Sequence, residues 1–443
     1  MFSNAISRSD SVLAKLLHRL EHRTGLGEIM PGLDGIRAVA ITLVFGFHAH
    51  AFSGSPSLSL WPQGPDLAHL LGSGFLGVDL FFVLSGFLLL LPWAKAFYLK
   101  RPSPSPGRYY RRRILRILPA YYVHLLVLFL FLVPWVYSFA FLFSGEGLWN
   151  LFAHAFFLQF LFPSTATGMG INGALWTLTI EAQFYLMLPL VAPFFLGKRA
   201  WAGLAAALAI ALAWKYLSQP FLADMLLAVA EKTHPAWYDP FSITVHDYPP
   251  PMMGMFLNNQ FPSQAFHFAI GMAFANLYAW HHYAGRKLSW MEGLWGGLIG
   301  LAAVMALLGM AWNLYRMNIT SGLWHYAWHI LFATVCAMLI GSIAFNNPLS
   351  RLFSIPLMRI PGIISYSLYL WHVPVFFVVF HHLYPLSLEG TQAFLYMAGV
   401  CGFVAGFIAF ISYIWIEKPF MERREGSKKP ALAYAPKQAC ETG

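Results

Sequence analysis

The sequence predicts an all-α polytopic membrane protein: about ten transmembrane helices plus one re-entrant or interfacial helix, with both termini cytoplasmic. Composition gives the first reason. Of 443 residues, 58% are hydrophobic and only 10% charged, whereas soluble domains average about 25% charged residues. Too little charge remains to clothe a water-facing surface, so the surround must be apolar. The second reason is a series of apolar runs, each near the length of about 20 residues that a span needs. The third is the segregation of the basic residues. The net charge of +10 would suit a nucleic-acid partner, but in a membrane protein an excess of Lys and Arg marks the cytoplasmic loops. No nucleic acid is therefore expected.

Residues 1–30 come first. They are charged throughout, so no secretory signal peptide is expected. Within them Val12, Leu13, Leu16, Leu17 and Leu20 share one helical face beside Lys15, His18 and Arg19. That stripe suits a helix lying on the cytoplasmic leaflet or docked on the protein itself. The spans follow at 36–52, 72–93, 118–139, 174–196, 201–217, 263–280, 293–312, 323–344, 361–380 and 392–415. A further run at 148–162 is shorter and interrupted by Asn150, His154 and Gln159. If this run does not cross, only Lys215, Lys232 and Arg316 of the 28 Lys and Arg fall on the outer side, with Arg37 at the inner mouth of the first span. If it does cross, that asymmetry collapses, so it is read as re-entrant or interfacial. Residues 219–262 form one long outer loop with Trp237, Tyr238, His246 and Tyr248, suited to recognition. The chain thus divides into an amphipathic cytoplasmic segment 1–30, a membrane domain 31–421 and a polar, disordered cytoplasmic tail 422–443. Of the three cysteines, Cys336 and Cys401 lie in apolar runs and Cys440 in the tail, so no disulfide framework is implied.

Ionisable residues inside apolar spans are costly and usually functional. Arg37 and His48 stand eleven residues apart in the first span, which turns a helix about 20° past three full turns and advances about 16 Å. They share a face, with the arginine at the cytoplasmic mouth and the histidine past mid-membrane. Arg37 alone would be explained by a lipid phosphate; a deep His48 points to a cavity or pathway. Asp79 and Glu181 reach comparable depth from the outer side, as functional carboxylates or as structural ion pairs. Arg108, Arg111, Arg112, Arg113 and Arg116 form the densest positive patch. It anchors on anionic lipid, and the Arg113–Arg116 spacing also aligns two guanidinium groups suited to phosphate. His325 and His329 have the four-residue spacing of a metal pair, but no carboxylate stands between them, so no metal is expected. Glycines at 293/297, 296/300 and 402/406 read as close helix packing.

Several motifs then carry a family resemblance. Leu33-Asp34-Gly35-Ile36-Arg37-Ala38-Val39-Ala40 leads to His48; Gly74-Phe75-Leu76-Gly77-Val78-Asp79 runs on to Ser85-Gly86-Phe87; Tyr110 to Pro119 holds Arg113 and Arg116. Leu175-Trp176-Thr177-Leu178 is followed by Glu181 and Phe184-Tyr185, and Ser365-Tyr366-Ser367-Leu368-Tyr369-Leu370-Trp371-His372 and Glu417-Lys418-Pro419-Phe420 close the series. In this order they resemble the acyltransferase family 3 of integral-membrane O-acyltransferases over residues 31–421, with Thr177 where serine is usual. Many members carry a further soluble hydrolase-like domain, for which this chain ends too early.

The resemblance implies transfer of an acyl group, acetyl by default, from cytosolic acyl-coenzyme A to a hydroxyl of a glycan, glycolipid or glycosylated metabolite. It implies His48 as general base, with Asp79 or Glu181 orienting it. Arg37, Arg112, Arg113, Arg116 and Ser85 would bind the donor; Trp176, Tyr369, His372 and the loop residue Trp237 would meet the acceptor. The rival from another class is a proton-coupled transporter or flippase using the same buried His and carboxylates as a relay. It leaves the arginine cluster at one mouth unexplained.

Overall fold

Apolar runs in lipid must satisfy their backbone N–H and C=O groups internally, and a helix does so within each segment. The computed structural model describes residues 30–59, 61, 64–166, 171–217, 256–285, 288–316, 322–385 and 387–422, together with Leu16, Leu17, Arg19, Leu20, Phe221, Leu222 and Met225. Trp237, most of the 219–262 loop and the tail beyond Glu422 lie outside the described residues.

The helices are α1 (Pro31–Phe52), the short α2 (Ala68–Gly72), α3 (Gly77–Tyr98), α4 (Pro106–Val127), α5 (Gly145–Ala155), α6 (Trp176–Val191), α7 (Arg199–Leu217) and α8 (Phe261–Tyr283). They continue as α9 (Leu294–Arg316), α10 (Gly322–Ala344), the short α11 (Pro348–Phe353) and α12 (Pro356–Ile363), then α13 (Ser365–His382), α14 (Gly390–Ser412) and α15 (Lys418–Glu422). A π-helical turn extends α4 through Leu128–Leu132, and another joins α14 to α15 at Tyr413–Glu417. Among the described residues the only β pairing is an isolated bridge between Ser59 and Asp66.

Eight of these helices are long and apolar enough to cross a membrane, and a ninth is counted if α12 and α13, bent by 70° at Ile364, form one broken span. The 23-residue α8 is more polar, with Ser263, Gln264, His267 and Asn276 buried, yet it packs along α3 more extensively than any other pair of helices. It occupies the place of the sixth expected span. The 148–162 run shares only residues 148–155 with the 11-residue α5, which is about 16 Å long against a hydrocarbon core of about 30 Å. Helix α5 starts three residues before that run and does not cross.

The loop from α1 to α2 is tied by one carboxylate. Asp66 accepts from Ser57 Oγ (2.6 Å), Leu58 N–H (2.7 Å) and Ala68 N–H (2.8 Å). Burial alone would raise its pKa, but these hydrogen bonds hold it below the usual carboxylate range. At the opposite end, Leu20 is fully buried against Ile364, Ala409, Tyr413 and Met421, and Tyr413 donates to its carbonyl at 2.8 Å. Of the two placements open to the N-terminal apolar stripe, the described part takes the docked one.

Parallel helices α3 and α8 touch backbone to backbone. A Cβ on Gly86 would stand 2.1 Å from the Phe268 carbonyl oxygen, and one on Gly271 would stand 2.0 Å from that of Val83. The glycine repeats at 293/297 and 402/406 are looser: Gly297 and Gly402 have only ordinary contacts, and Gly406 has nothing within 4 Å. In the third repeat, 296/300, Gly300 faces another helix closely, with Ser342 Oγ at 2.5 Å from its Cβ position, while Gly296 lies against the Met291 carbonyl of the preceding turn. Side-chain-free close approach, not repeat spacing, decides which glycines pack. Gly86→Ala should therefore destabilise the bundle by about 1–3 kcal/mol through backbone displacement, whereas Gly406→Ala should be neutral. Thermal unfolding in detergent checks both; equal midpoints for the two variants would refute the contact.

Candidate active site

Ionisable and polar side chains collect in three groups. The first lies at the end of α1 that holds Arg37. Arg37 Nη1 donates to Asp34 Oδ1 at 2.8 Å, and Asp34 Oδ2 pairs with Arg359 Nη2 of α12 at 3.3 Å. Helix α4 brings Arg113 and Arg116 to the same region, one turn apart, and their charges bear directly on Arg37. The Arg113 Nε is buried with no hydrogen-bond partner, and Arg116 Nη1 meets Met421 Sδ at 3.5 Å. Glu181 joins them from α6. Its two oxygens accept from Tyr185 OH (2.7 Å) and Ser85 Oγ (3.4 Å), and both arginines of α4 act on it electrostatically. Five helices, α1, α3, α4, α6 and α12, therefore bring these side chains into one cationic cluster, with Asp34 at one side and Glu181 at the other. Arg112 is half-buried on α4 and makes no ion pair or side-chain hydrogen bond among the described residues.

The second group is a pair of imidazoles. His48, half-buried on α1, and His372, buried on α13, have ring centroids 4.8 Å apart, edge to face. His48 Nδ1 lies 2.8 Å from the Val44 carbonyl oxygen, and His372 Nδ1 lies 2.8 Å from that of Tyr369. A carbonyl only accepts, so each Nδ1 carries a hydrogen, and in the neutral form of either ring the basic nitrogen is Nε2. His372 Nε2 is buried without a partner. Because α1 is continuous from Pro31 to Phe52, His48 stands about 16 Å along the helix from Arg37.

The third group is Asp79 of α3, His267 of α8 and His329 of α10, whose nearest ligand-type atoms lie within 4.8 Å of one another. Lys215 of α7, itself buried, acts on the same carboxylate. Of these, His267 and Lys215 were not singled out by the sequence reading; a histidine inside an apolar span was the available signal for His267. The expectation of no metal thus meets a group whose donors suit one.

Two expectations are corrected. Neither Asp79 nor Glu181 is a partner of His48: Asp79 faces His267 and His329, and Glu181 faces Tyr185, Ser85 and the arginines. The group beside His48 is His372. Depth in the span was legible from residue number; rotation about the bundle axis and the neighbouring helix were not. Tyr369, expected at the acceptor, has its hydroxyl committed to Ala174 O (2.7 Å) and Thr177 Oγ1 (2.7 Å). Trp176 packs its ring against Phe160 and Phe82, at 5.3 and 6.2 Å between centroids, as an apolar wall.

Comparison with known proteins places the chain. A family model described as an acyltransferase domain matches residues 30–416, so the chain belongs to that acyltransferase family, as its motifs resemble. It is similar to the O-acetyltransferase OatA of Staphylococcus aureus (strain NCTC 8325 / PS 47), 25% identical over 429 residues covering 92% of this chain and 59% of the relative. It is also similar to the peptidoglycan O-acetyltransferase OatA of Listeria monocytogenes, 26% identical over 408 residues covering 88% of this chain and 55% of the relative. The chain therefore spans less than two thirds of either relative's length. No solved structure matches.

The committed hydroxyl of Tyr369 can be tested. Tyr369→Phe removes one buried hydrogen-bonded group that ties α13 to the start of α6, and should cost about 0.5–1.5 kcal/mol in unfolding free energy. Thermal or denaturant unfolding reads this. Unchanged stability combined with lost substrate affinity would return the hydroxyl to a substrate.

Proposed function

We propose that this acyltransferase-family chain transfers an acyl group, acetyl by default, from acyl-coenzyme A to a hydroxyl of an envelope glycan, with His48 as general base. The observation that carries the reading is the layout of α1. One end meets Arg113 and Arg116 in a cationic pocket, and the other presents a histidine with a bare Nε2, about 16 Å away. An extended donor with anionic phosphates at one end and a thioester at the other fits that separation. Arginine forks bind phosphate oxygens through paired charge-assisted bonds. Ser85 lies beside Glu181 on the wall of the same pocket, and Arg112 contributes field rather than a fixed contact.

The reaction follows from the tautomers. His48 Nε2 accepts the proton of the acceptor hydroxyl as its oxygen attacks the thioester carbonyl. The tetrahedral intermediate collapses, the C–S bond breaks, and the coenzyme A thiolate leaves and recovers the proton from His48 Nε2. The Val44 carbonyl holds Nδ1–H throughout and fixes the ring, as a carboxylate does in other triads. His372 places a second basic nitrogen beside the first. Asp79 and Glu181 have no part in orienting His48. Glu181 instead offsets the charge of Arg113 and Arg116.

The named substrate of the Listeria relative, peptidoglycan, makes a cell-wall glycan the first acceptor to try. The charge distribution supports cytoplasmic termini and donor entrance from the cytoplasm, with the acceptor arriving from the outer side at 219–262, where Trp237 suits stacking on a sugar. That layout agrees with an inner, plasma-membrane location.

The test is incubation of the purified chain with labelled acetyl-coenzyme A and glycan acceptors in detergent or vesicles. His48→Ala should lower transfer by about two to four orders of magnitude while sparing donor binding; turnover within about threefold of wild type would remove the base assignment. Arg113→Ala and Arg116→Ala should each weaken acyl-coenzyme A binding, more strongly at low ionic strength. Unchanged donor affinity would return both arginines to a lipid-anchoring role. No acyl transfer to any glycan from a folded chain, with proton-coupled substrate movement in vesicles, would favour the transporter reading.

A further inference from the structure

The group on α3, α8 and α10 is built differently from an ordinary buried ion pair. Asp79 Oδ2 stands 3.7 Å from His267 Nε2 and 3.6 Å from His329 Nδ1, both beyond hydrogen-bond length. Asp79 Oδ2 and both ring nitrogens of His267 are buried and without a hydrogen-bond partner. Residue exposure is 6% for Asp79 and 3% for His267. Leaving such atoms unsatisfied costs about 1–3 kcal/mol each, and small rotations of the rings would cure it if hydrogen bonding were the purpose. Instead one carboxylate oxygen and two imidazole nitrogens from three helices point at a common centre.

That spacing has a simple meaning. Ligand atoms placed tetrahedrally at about 2.1 Å from an ion are about 3.4 Å apart. The Asp79–His edges exceed this by a few tenths of an ångström and the His267–His329 edge is at most 4.8 Å, so inward ring movements of up to about an ångström would bring three ligands of a tetrahedral shell onto one ion. Two imidazoles and one carboxylate are the donor set of borderline transition ions, not of Mg²⁺ or Ca²⁺, which prefer all-oxygen shells.

We propose that Asp79, His267 and His329 bind one divalent transition-metal ion of the zinc type, clamping α3, α8 and α10 together. The ion would satisfy Asp79 Oδ2 and a His267 ring nitrogen, both without hydrogen-bond partners, and take His329 as its third ligand. It ties together two helices already in backbone contact at Gly86 and Gly271 and adds a third, α10. The site is separate from the His48–His372 pair, and its role is to hold the bundle rather than to activate the acyl donor. Its competitor is Lys215, whose ammonium group can serve as the counter-ion to Asp79 without any metal.

The experiment uses the full chain, purified in detergent through an affinity tag without histidine, from metal-replete cells. Metal content is read by inductively coupled plasma mass spectrometry and compared with His267→Gln and His329→Gln. The expected result is about one ion per chain in wild type and less than about a tenth of that in either variant. A variant that fails to fold would also lose its ion, so the wild-type chain is stripped with a chelator and titrated with Co²⁺. Visible ligand-field bands saturating at one equivalent, together with recovery of thermal stability, support the site. A wild-type chain with neither stoichiometric metal nor Co²⁺ bands overturns it and leaves Lys215 as the counter-ion. So does a folded His267→Gln variant that keeps its ion.

Discussion

Buried ionisable groups in this bundle must find their partners within the protein, on their own helix or on a neighbour, because lipid offers none. That constraint sorts the polar residues into separated groups and fixes which helices must touch. Asp34 draws α12 to α1 through Arg359. Glu181 draws α6 to α3 through Ser85 and faces the arginines of α4. Asp79 draws α3, α8 and α10 to one centre. Apolar side chains cannot specify these contacts, since a leucine gains little by exchanging a lipid tail for a neighbouring helix. The polar groups supply the specificity, and the backbone approach of Gly86 and Gly271 supplies the distance at which they meet.

The same sorting separates charge handling from proton handling. The cationic pocket is polar, half-buried and balanced by Asp34 and Glu181. The imidazole pair has no carboxylate contact, and its two Nδ1–H groups end on backbone carbonyls of α1 and α13. A histidine so held keeps one tautomer without a nearby negative charge. Its ring orientation depends on helix geometry at Val44 and Tyr369 rather than on a carboxylate, and the proposed base role needs only that Nε2 stay free.

Much of this was legible in the sequence, and the exceptions have a common cause. The apolar runs located the spans because hydrophobic length is a local property. The polar α8 was still recognisable by length, and α5 by being too short. The motif residues Arg37, Arg113, Arg116 and Glu181 do assemble, although Glu181 assembles with the arginines rather than with His48. The errors all concern rotation about the bundle axis. Depth follows from counting residues along one helix, but the partner depends on which helix stands opposite. The pairing of His48 with His372 joins residues 324 positions apart in the chain. His267 and His329 carried the same signal as His48, a histidine within an apolar run. Their convergence with Asp79 joins three helices, and no spacing within one helix reveals it.

The arrangement around Arg37 also bears on how an anionic donor could be admitted. Arg37 and Arg359 are not idle cations: Asp34 already bonds both, at 2.8 and 3.3 Å. An arriving phosphate therefore exchanges one anionic partner for another instead of neutralising bare charge, and the net gain is smaller than the arginine count suggests. Arg113 differs from Arg37, because no carboxylate bonds it directly and its buried Nε has no hydrogen-bond partner, so a phosphate oxygen would satisfy it. Binding at this mouth should accordingly be led by α4, with Arg37 contributing once Asp34 releases it. Since Arg37 and His48 share one unbroken helix, any shift of α1 that loosens the Asp34 contact is carried along its length to the imidazole pair. In the proposed reaction, donor capture and the placement of the base would then be coupled through a single helix, with no intervening loop to absorb the movement.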